Sequence, residues 1–402
     1  MDLSETMQKK RSPIPAVYLH IPFCRTICPF CSFTVRRDRA KMHEKYIRGM
    51  VGEIDRRAEM LKDMERKENE EKLSGQILLK SIYIGGGTPS CLTIPEVSVL
   101  LTKVRENFPW SDQIEIAFEM NPDDVNPEYL SGLADIGVNR LSLGGQSFQT
   151  STLQKLGRCH TVADLRNAIA VITNSSFDNW NLDLMFGIPE QSIVMFKNDL
   201  EEALRYEPSH ISLYGLEIHE RTPFGNNPQI RNWEPEHLEQ FEEMYLWATD
   251  NLEKAGLFQY EISNFSKKTN EGRQNLLVWS GQEYLGFGVG AHSYHRQTRW
   301  GNVRSIRTYL QHLGQNTWPT EFIEQLSGKQ LAVEFLMLGL RQCEGINIKE
   351  WQTRYGLHLQ NQQLNFVQEL CDDGRAFWEG QHLCLTPKGM LLADRITVQL
   401  MP

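Results

Sequence analysis

Six runs rich in β-branched, aliphatic and aromatic residues, at 16–21, 81–84, 114–119, 139–143, 181–185 and 210–214, alternate with amphipathic stretches at 43–67, 94–107, 127–136, 162–175 and 193–206. Strand and helix patterns in alternation specify βα units, which build a parallel sheet. Six units are fewer than the eight of a closed barrel. In such folds the functional residues sit at the C-terminal ends of the strands, and most residues singled out below fall there.

Directly after the first run comes Tyr18-Leu-His-Ile-Pro-Phe-Cys24-Arg-Thr-Ile-Cys28-Pro-Phe-Cys31, a C-x3-C-x2-C spacing. Three close thiolates indicate a metal site. A [4Fe–4S] cube held by three cysteines keeps one iron without a protein ligand, open to a small molecule. The alternative is structural zinc, which needs a fourth protein ligand, commonly from a second pair. His20 or His43 could serve, but no second Cys/His pair lies nearby.

At 402 residues, 40% apolar and 23% charged, the chain has room for one large and one small domain with a buried cofactor. Its net charge of −9 argues against nucleic acid, which needs a basic face. A local basic cluster, Arg36, Arg37, Arg39 and Lys41, follows the cysteine loop. It reads either as a solvated helix start or as a seat for porphyrin propionates or an acidic electron donor. The first twelve residues carry no apolar core of a signal peptide, and no run approaches a membrane span, so a cytoplasmic protein is expected. Cys91, Cys159, Cys343, Cys371 and Cys384 show no pairing pattern and read as incidental thiols of a reducing compartment.

The organisation expected is a tail at 1–13, a βα core at 14–235, a flanking helical and strand extension at 236–318 and a C-terminal unit at 319–402. The charge-dense run 63–72 reads as a solvated helix end. Residues 219–235, with three prolines, read as a loop leaving the core. Helices near 327–340, 347–355 and 360–372, followed by a hairpin at 376–385, suggest a winged-helix-like module.

Within the core, Gly85-Gly-Gly-Thr-Pro89 follows the second strand, where glycines let a backbone approach a ligand without a Cβ in the way. Glu119 ends the third strand. Alternation puts Glu115 on the same side, so one of the two could simply be a solvated residue, and Glu119 at the mouth is the better group for a ribose hydroxyl or an ammonium. Asp183 lies in an apolar strand, where an unpaired carboxylate is costly. It needs a partner, either a ligand or a base such as Arg158.

The cysteine spacing, with Phe30 before the last Cys, resembles the radical S-adenosylmethionine superfamily. Tyr18-x-His20-Ile-Pro-Phe-Cys24 and Gly85-Gly-Gly-Thr-Pro89 narrow the resemblance to the branch of oxygen-independent coproporphyrinogen III oxidase and the haem chaperone HemW, from about residue 14 to the C-terminus. It implies an open (β/α)6 partial TIM barrel with a small C-terminal α+β domain. Cys24, Cys28 and Cys31 are then the cluster ligands, and the open iron takes the amino and carboxylate groups of S-adenosylmethionine. Tyr18, Phe30, Gly86, Gly87, Thr88, Glu119, Gln146, Arg158, Asp183 and Gly215 occupy positions that line its site in the family. One-electron reduction, from a low-potential donor such as flavodoxin or ferredoxin, cleaves the sulfonium to methionine and a 5′-deoxyadenosyl radical.

The oxidase carries a fourth cysteine two residues after the third, where this chain has Phe33. It also has a longer N-terminal segment than the fifteen or so residues that precede the first strand here. Both differences, together with Arg158-Cys-His-Thr161 and Gly286-Phe-Gly-Val-Gly-Ala-His292-Ser, favour the HemW side, which implies haem binding and transfer to haem-requiring acceptor proteins. HemW relatives carry His-Asn-x-x-Tyr-Trp where this chain reads Gln274-Asn275-Leu-Leu-Val278-Trp279. An amide binds iron far more weakly than imidazole, so an axial haem ligand would have to be another residue. His292 is the nearest, then His295, His20 and His160, each equally readable as a structural histidine. A radical enzyme of the same branch, performing oxidative decarboxylation, methyl transfer or another tetrapyrrole modification, is the alternative. A zinc-bound regulator with a winged helix is the third.

Overall fold

The computed structural model describes residues 14–67 and 78–402. The expected tail at 1–13, and the part of the charged run beyond Lys67, lie outside them. Six parallel strands stand in chain order: β1 (Ala16–Ile21), β2 (Leu79–Gly86), β3 (Trp110–Met120), β4 (Arg140–Gln146), β5 (Trp180–Phe186) and β6 (His210–Gly215). The helices between them, including His43–Lys67, Ile94–Asn107, Pro127–Asp135, Val162–Thr173 and Ile193–Leu204, begin where the sequence caps them. Thr93 with Glu96 and Thr161 with Asp164 form capping boxes, and the Ser192 hydroxyl accepts from Met195 N.

The two faces of this sheet differ. Val17, Leu19, Ile82, Ile84, Ile116, Phe118, Leu141, Leu143, Leu182, Leu184, Ile211 and Leu213 point to the helices and are fully buried. The alternate positions on the inner face are Tyr18, His20, Tyr83, Glu115, Glu119, Arg140, Ser142, Asn181, Asp183, His210 and Ser212. A parallel sheet covered on both sides is apolar on both. A polar inner face is built for a ligand.

The sheet is wider than the six-strand core. Twelve strands form one sheet. Beyond β6 lie Asn264–Ser266 and then Phe258–Glu261, both antiparallel to their neighbours. Beyond β1 lie Tyr284–Phe287, parallel to it, then His292–His295, Thr298–Asn302 and Thr320–Gln325. The last of these, which the expected division at 319 gave to the C-terminal unit, pairs with Thr298–Asn302 in the large sheet. The segment 219–235 is not loop throughout: Pro228–Arg231 and the start of Trp233–Glu236 are helical turns. A helix at Thr150–Lys155 went unanticipated.

The C-terminal unit has helices Gly328–Gly339, Ile348–Tyr355 and Asn361–Asp372, and a small sheet in which His382–Leu385 lies between Ile346–Asn347 and Ala376–Glu379. Its own core centres on Leu336, Trp351 and Leu383, with Trp351 Nε1 donating to Ala332 O at 3.0 Å. Two further helices, Pro387–Met390 and Ala393–Leu400, follow. The unit is stitched to the large sheet by Ile262 N to Arg341 O (2.8 Å), Cys343 N to Tyr260 O (3.1 Å) and the paired hydrogen bonds of Arg299 with Glu334. Among the described residues no helix is long and apolar enough to cross a membrane.

Candidate functional site

The cysteine loop leaves the C-terminal end of β1 and is pinned there. Phe23–Cys24 pairs with Arg36–Arg37 as a two-stranded ribbon, and Asp38 N donates to Cys24 O at 2.8 Å. Cys24 is buried, with Cys28 and Cys31 half-exposed. Burial pushes the Cys24 thiol up to about 11 and raises Cys31, with the other two loop sulfurs close enough to contribute in each case or nearly so: Cys24 feels both, Cys31 feels Cys28.

The three glycines of the next motif each answer to a named neighbour. A Cβ at Gly85 would meet the Glu119 carboxyl at 2.8 Å. One at Gly86, which has φ of +115°, would meet the His20 ring at 2.5 Å. One at Gly87 would lie 2.9 Å from Cys24 Sγ and 2.8 Å from Phe23 O. Thr88 Oγ1 then reaches Cys24 Sγ at 3.6 Å. The turn therefore locks β2 onto the cysteine loop.

Arg158 reaches the loop from the other side. Its guanidinium donates to Asn121 Oδ1 (2.6 Å) and Gly144 O (2.9 Å) and contacts Cys28 Sγ at 3.6 Å, while its buried Nε has no partner among the described residues. It does not pair with Asp183, the role the sequence suggested for it. Asp183 is held instead by Asn181 Nδ2 (2.7 Å) and, more loosely, by Ser142 Oγ (3.4 Å). Its own strand supplies Asn181 and the adjacent β4 supplies Ser142, so no base is needed.

Glu119 accepts from Tyr83 OH (2.7 Å) and Gly86 N (3.0 Å). Burial, with Asp183 adding like charge, pushes its carboxyl up to about 7; burial raises Asp183 to about 6. Glu115 is not solvated. It is buried midway along β3, accepting from Arg273 N at 2.9 Å and lying 4.0 Å from Arg140.

Tyr18 stacks on Tyr83 with centroids 6.2 Å apart and reaches His20 Nδ1 at 3.0 Å. Gln146 ends β4 with φ of +68°, close to Gly144 and Arg158. Phe30 joins a small apolar cluster with Phe224 and Met185. Gly215 is explained by packing, since a Cβ there would collide with the Phe241 ring. All ten candidate cofactor residues thus lie on the inner face or its C-terminal rim. Asn121, Tyr83, Ser142 and Asn181, which tie them together, escaped the sequence reading. Register is what reveals them.

The histidines separate by their hydrogen bonds. His20 is buried, with Nδ1 against Tyr18 and Nε2 on Thr34 O at 2.7 Å, and burial lowers its pKa to about 4. His160 is buried with Nε2 on Gly145 O, and His295 is bound to Glu283. His292 is exposed. Gln274 is buried on the helix Arg273–Trp279, which plugs the end of the sheet opposite the cysteines, and its Oε1 is unpartnered among the described residues.

This donor set fits an iron–sulfur cube. Three thiols on one short loop are clasped by a glycine turn that admits no Cβ and by a guanidinium against one sulfur. A single zinc ion would need its sulfurs about 4 Å apart, given Zn–S bonds of about 2.3 Å. Among the described residues no group of three or more His, Cys, Asp or Glu is arranged to hold one ion.

Comparison with known proteins agrees with this geometry. Residues 18–203 match the radical SAM superfamily and residues 326–392 the HemN C-terminal domain. The coproporphyrinogen III oxidase HemN of Escherichia coli shares the fold, with a TM-score of 0.79 at 20% identity over 99% of this chain and 92% of that one. The heme chaperone HemW of Escherichia coli is 33% identical over 70% of this chain and 70% of its own length. The heme chaperone HemW of Bacillus subtilis is 33% identical over 95% of this chain and 97% of its own. With the three thiols, the glycine turn and both matched domains in place, the chain belongs to the HemW family of the radical SAM superfamily.

Proposed function

We propose that this protein is a haem chaperone that carries a [4Fe–4S] cluster and S-adenosylmethionine, binds haem and passes it to haem-requiring proteins. Cys24, Cys28 and Cys31 hold the cluster in this reading. Bound together and reduced, cluster and S-adenosylmethionine supply a one-electron cleavage of the sulfonium. The chain's own residues do the positioning. The Gly86–Thr88 backbone and Gln146 receive the methionine end, Glu119 and Asp183 take ammonium or ribose hydroxyls, Arg158 neutralises the loop beside Cys28, and Tyr18, Phe30 and Gly215 shape the rim.

The observation that carries the reading is the clasped cysteine loop at the mouth of a polar inner face, in a chain aligned with HemW over 95% of its length. A low-potential donor such as flavodoxin or ferredoxin fits the ribbon: Arg36, Arg37, Arg39 and Lys41 are exposed, with no ion-pair partner among the described residues, and Arg37 pairs in register with Cys24. A cytoplasmic site of action belongs to the same proposal.

The test is anaerobic reconstitution followed by haem titration at the Soret band, with 5′-deoxyadenosine measured in parallel. Stoichiometric haem binding is expected. Cys28→Ser should bleach the cluster's visible absorption and stop 5′-deoxyadenosine formation. Turnover of a tetrapyrrole without stable haem binding would replace the chaperone with a radical enzyme of the coproporphyrinogen oxidase branch.

A further inference from the structure

The position of the family's haem motif is closed in this chain, because Gln274 is buried at the far end of the sheet from the cysteines. An exposed imidazole stands elsewhere. The pairing Tyr284 with Tyr294, next to β1, puts Tyr294 and, two residues on, His292 on the inner face that carries Tyr18. The rows His292–Gly301 and Gly301–Phe322 then place His292 and Phe322 on that face, separated by a glycine. Their rings meet edge-on, 5.4 Å apart at 64°.

Three properties distinguish this spot. Neither ring nitrogen of His292 has a hydrogen-bond partner among the described residues, whereas His20, His160 and His295 are all engaged. Phe322 is 39% exposed, and its ring lies across Gly301, where a Cβ would meet it at 2.5 Å, so only a glycine lets the ring reach His292. Arg304 is exposed and has no ion-pair partner among the described residues, while Arg299 nearby is committed to Glu334. Glu321 is the acid whose charge acts on His292, opposing Arg299 and Arg304. The loop that leads into His292 packs on the cysteine loop, since a Cβ at Gly290 would strike the Thr34 side chain.

We propose that His292 is the axial ligand of a haem seated on the inner face of this outer part of the sheet, with Phe322 against the porphyrin and Arg304 on a propionate. The site rests on the haem-chaperone reading and gives it a place. A neutral imidazole nitrogen binds ferric or ferrous iron without redox change and displaces only a weak ligand such as water. Half-burial, with Arg299 and Arg304 beside it, lowers the pKa of His292 and favours that neutral form. Exposure at the rim suits a cargo that must leave again.

The experiment titrates ferric haem into the full-length, cluster-loaded protein and its variants, reading affinity at the Soret band and spin state by electron paramagnetic resonance. Cluster absorption and thermal melting check folding. His292→Ala should weaken binding by about tenfold or more and change the spin-state signature. His292→Met should retain haem with a thioether-type spectrum, and Arg304→Glu should weaken binding with the spectrum kept. Wild-type affinity and spectrum in folded His292→Ala and His292→Met overturn the site and leave the chaperone reading standing. Failure of the wild-type protein to bind haem overturns both.

Discussion

Asp183 shows how a residue can be legible in type and illegible in partner. The sequence marked it as a carboxylate in an apolar strand in need of a partner, either a ligand or a base. Asn181 two residues earlier and Ser142 on the next strand hold it instead, and hydrogen bonds to neutral groups do not offset the burial of the charge. Its folded pKa, about 6, lies above the usual value near 3.9, so ionisation costs folding free energy as pH rises through that window, and the cost is complete above about 6. Asp183→Asn is therefore expected to stabilise the ligand-free protein at pH 8 by on the order of 2 kcal/mol. Melting curves from pH 4 to 8 should show the gain shrinking toward acid. The same change should weaken S-adenosylmethionine binding. Gly87 was legible as a turn, but its reason, the Cys24 sulfur, was not. Gly87→Ala is expected to yield protein with well under half the normal cluster content, measured as iron per chain, because both Cys24 Sγ and Phe23 O must give way.

At the scale of elements, all six core strands and the helices between them, except the short Thr150–Lys155, follow from periodicity. The outer faces are continuous rows of Val, Ile and Leu, and the helices carry capping residues at their starts. The outer strands failed to announce themselves, because three or four residues interrupted by Gly, Asn and His, as at Tyr284–Phe287 and His292–His295, have too little pattern for a period-2 signal. The ribbon Phe23–Cys24 with Arg36–Arg37 was visible only as a basic cluster, and its pairing sets that cluster beside Cys24. Arg36→Glu combined with Arg37→Glu is expected to slow cluster reduction by an acidic carrier several-fold at low salt, with the difference fading as ionic strength rises. Stopped-flow reduction with a small uncharged reductant should be unchanged, and slowing there would detach the ribbon from docking.

At the scale of the molecule, no local pattern could have revealed that a strand near residue 285 lies against β1, since the contact joins segments more than 260 residues apart. The C-terminal module was legible from its order of helices and hairpin. How it is fastened was not, because the fastening uses backbone groups, side-chain hydrogen bonds such as Gln342 to Trp279 O, and an ion pair, all reaching to other parts of the chain. Glu334→Ala removes both hydrogen bonds to Arg299 and should destabilise the module's attachment by about 1 kcal/mol. Hydrogen exchange at Ile262 and Cys343 amides would report this as lost protection, and unchanged exchange would mean the ion pair adds nothing to the joint. The sheet's edges carry one more consequence. β1 is already hydrogen-bonded on both sides, to β2 and to Tyr284–Phe287, and β6 is capped by Asn264–Ser266. Neither strand can turn to meet the other, so the cylinder is wedged permanently ajar. The C-terminal module, bonded to Tyr260 and Ile262 on one flank and to Arg299 on the other, spans the distance between the two edges, so loosening it would free both flanks at once.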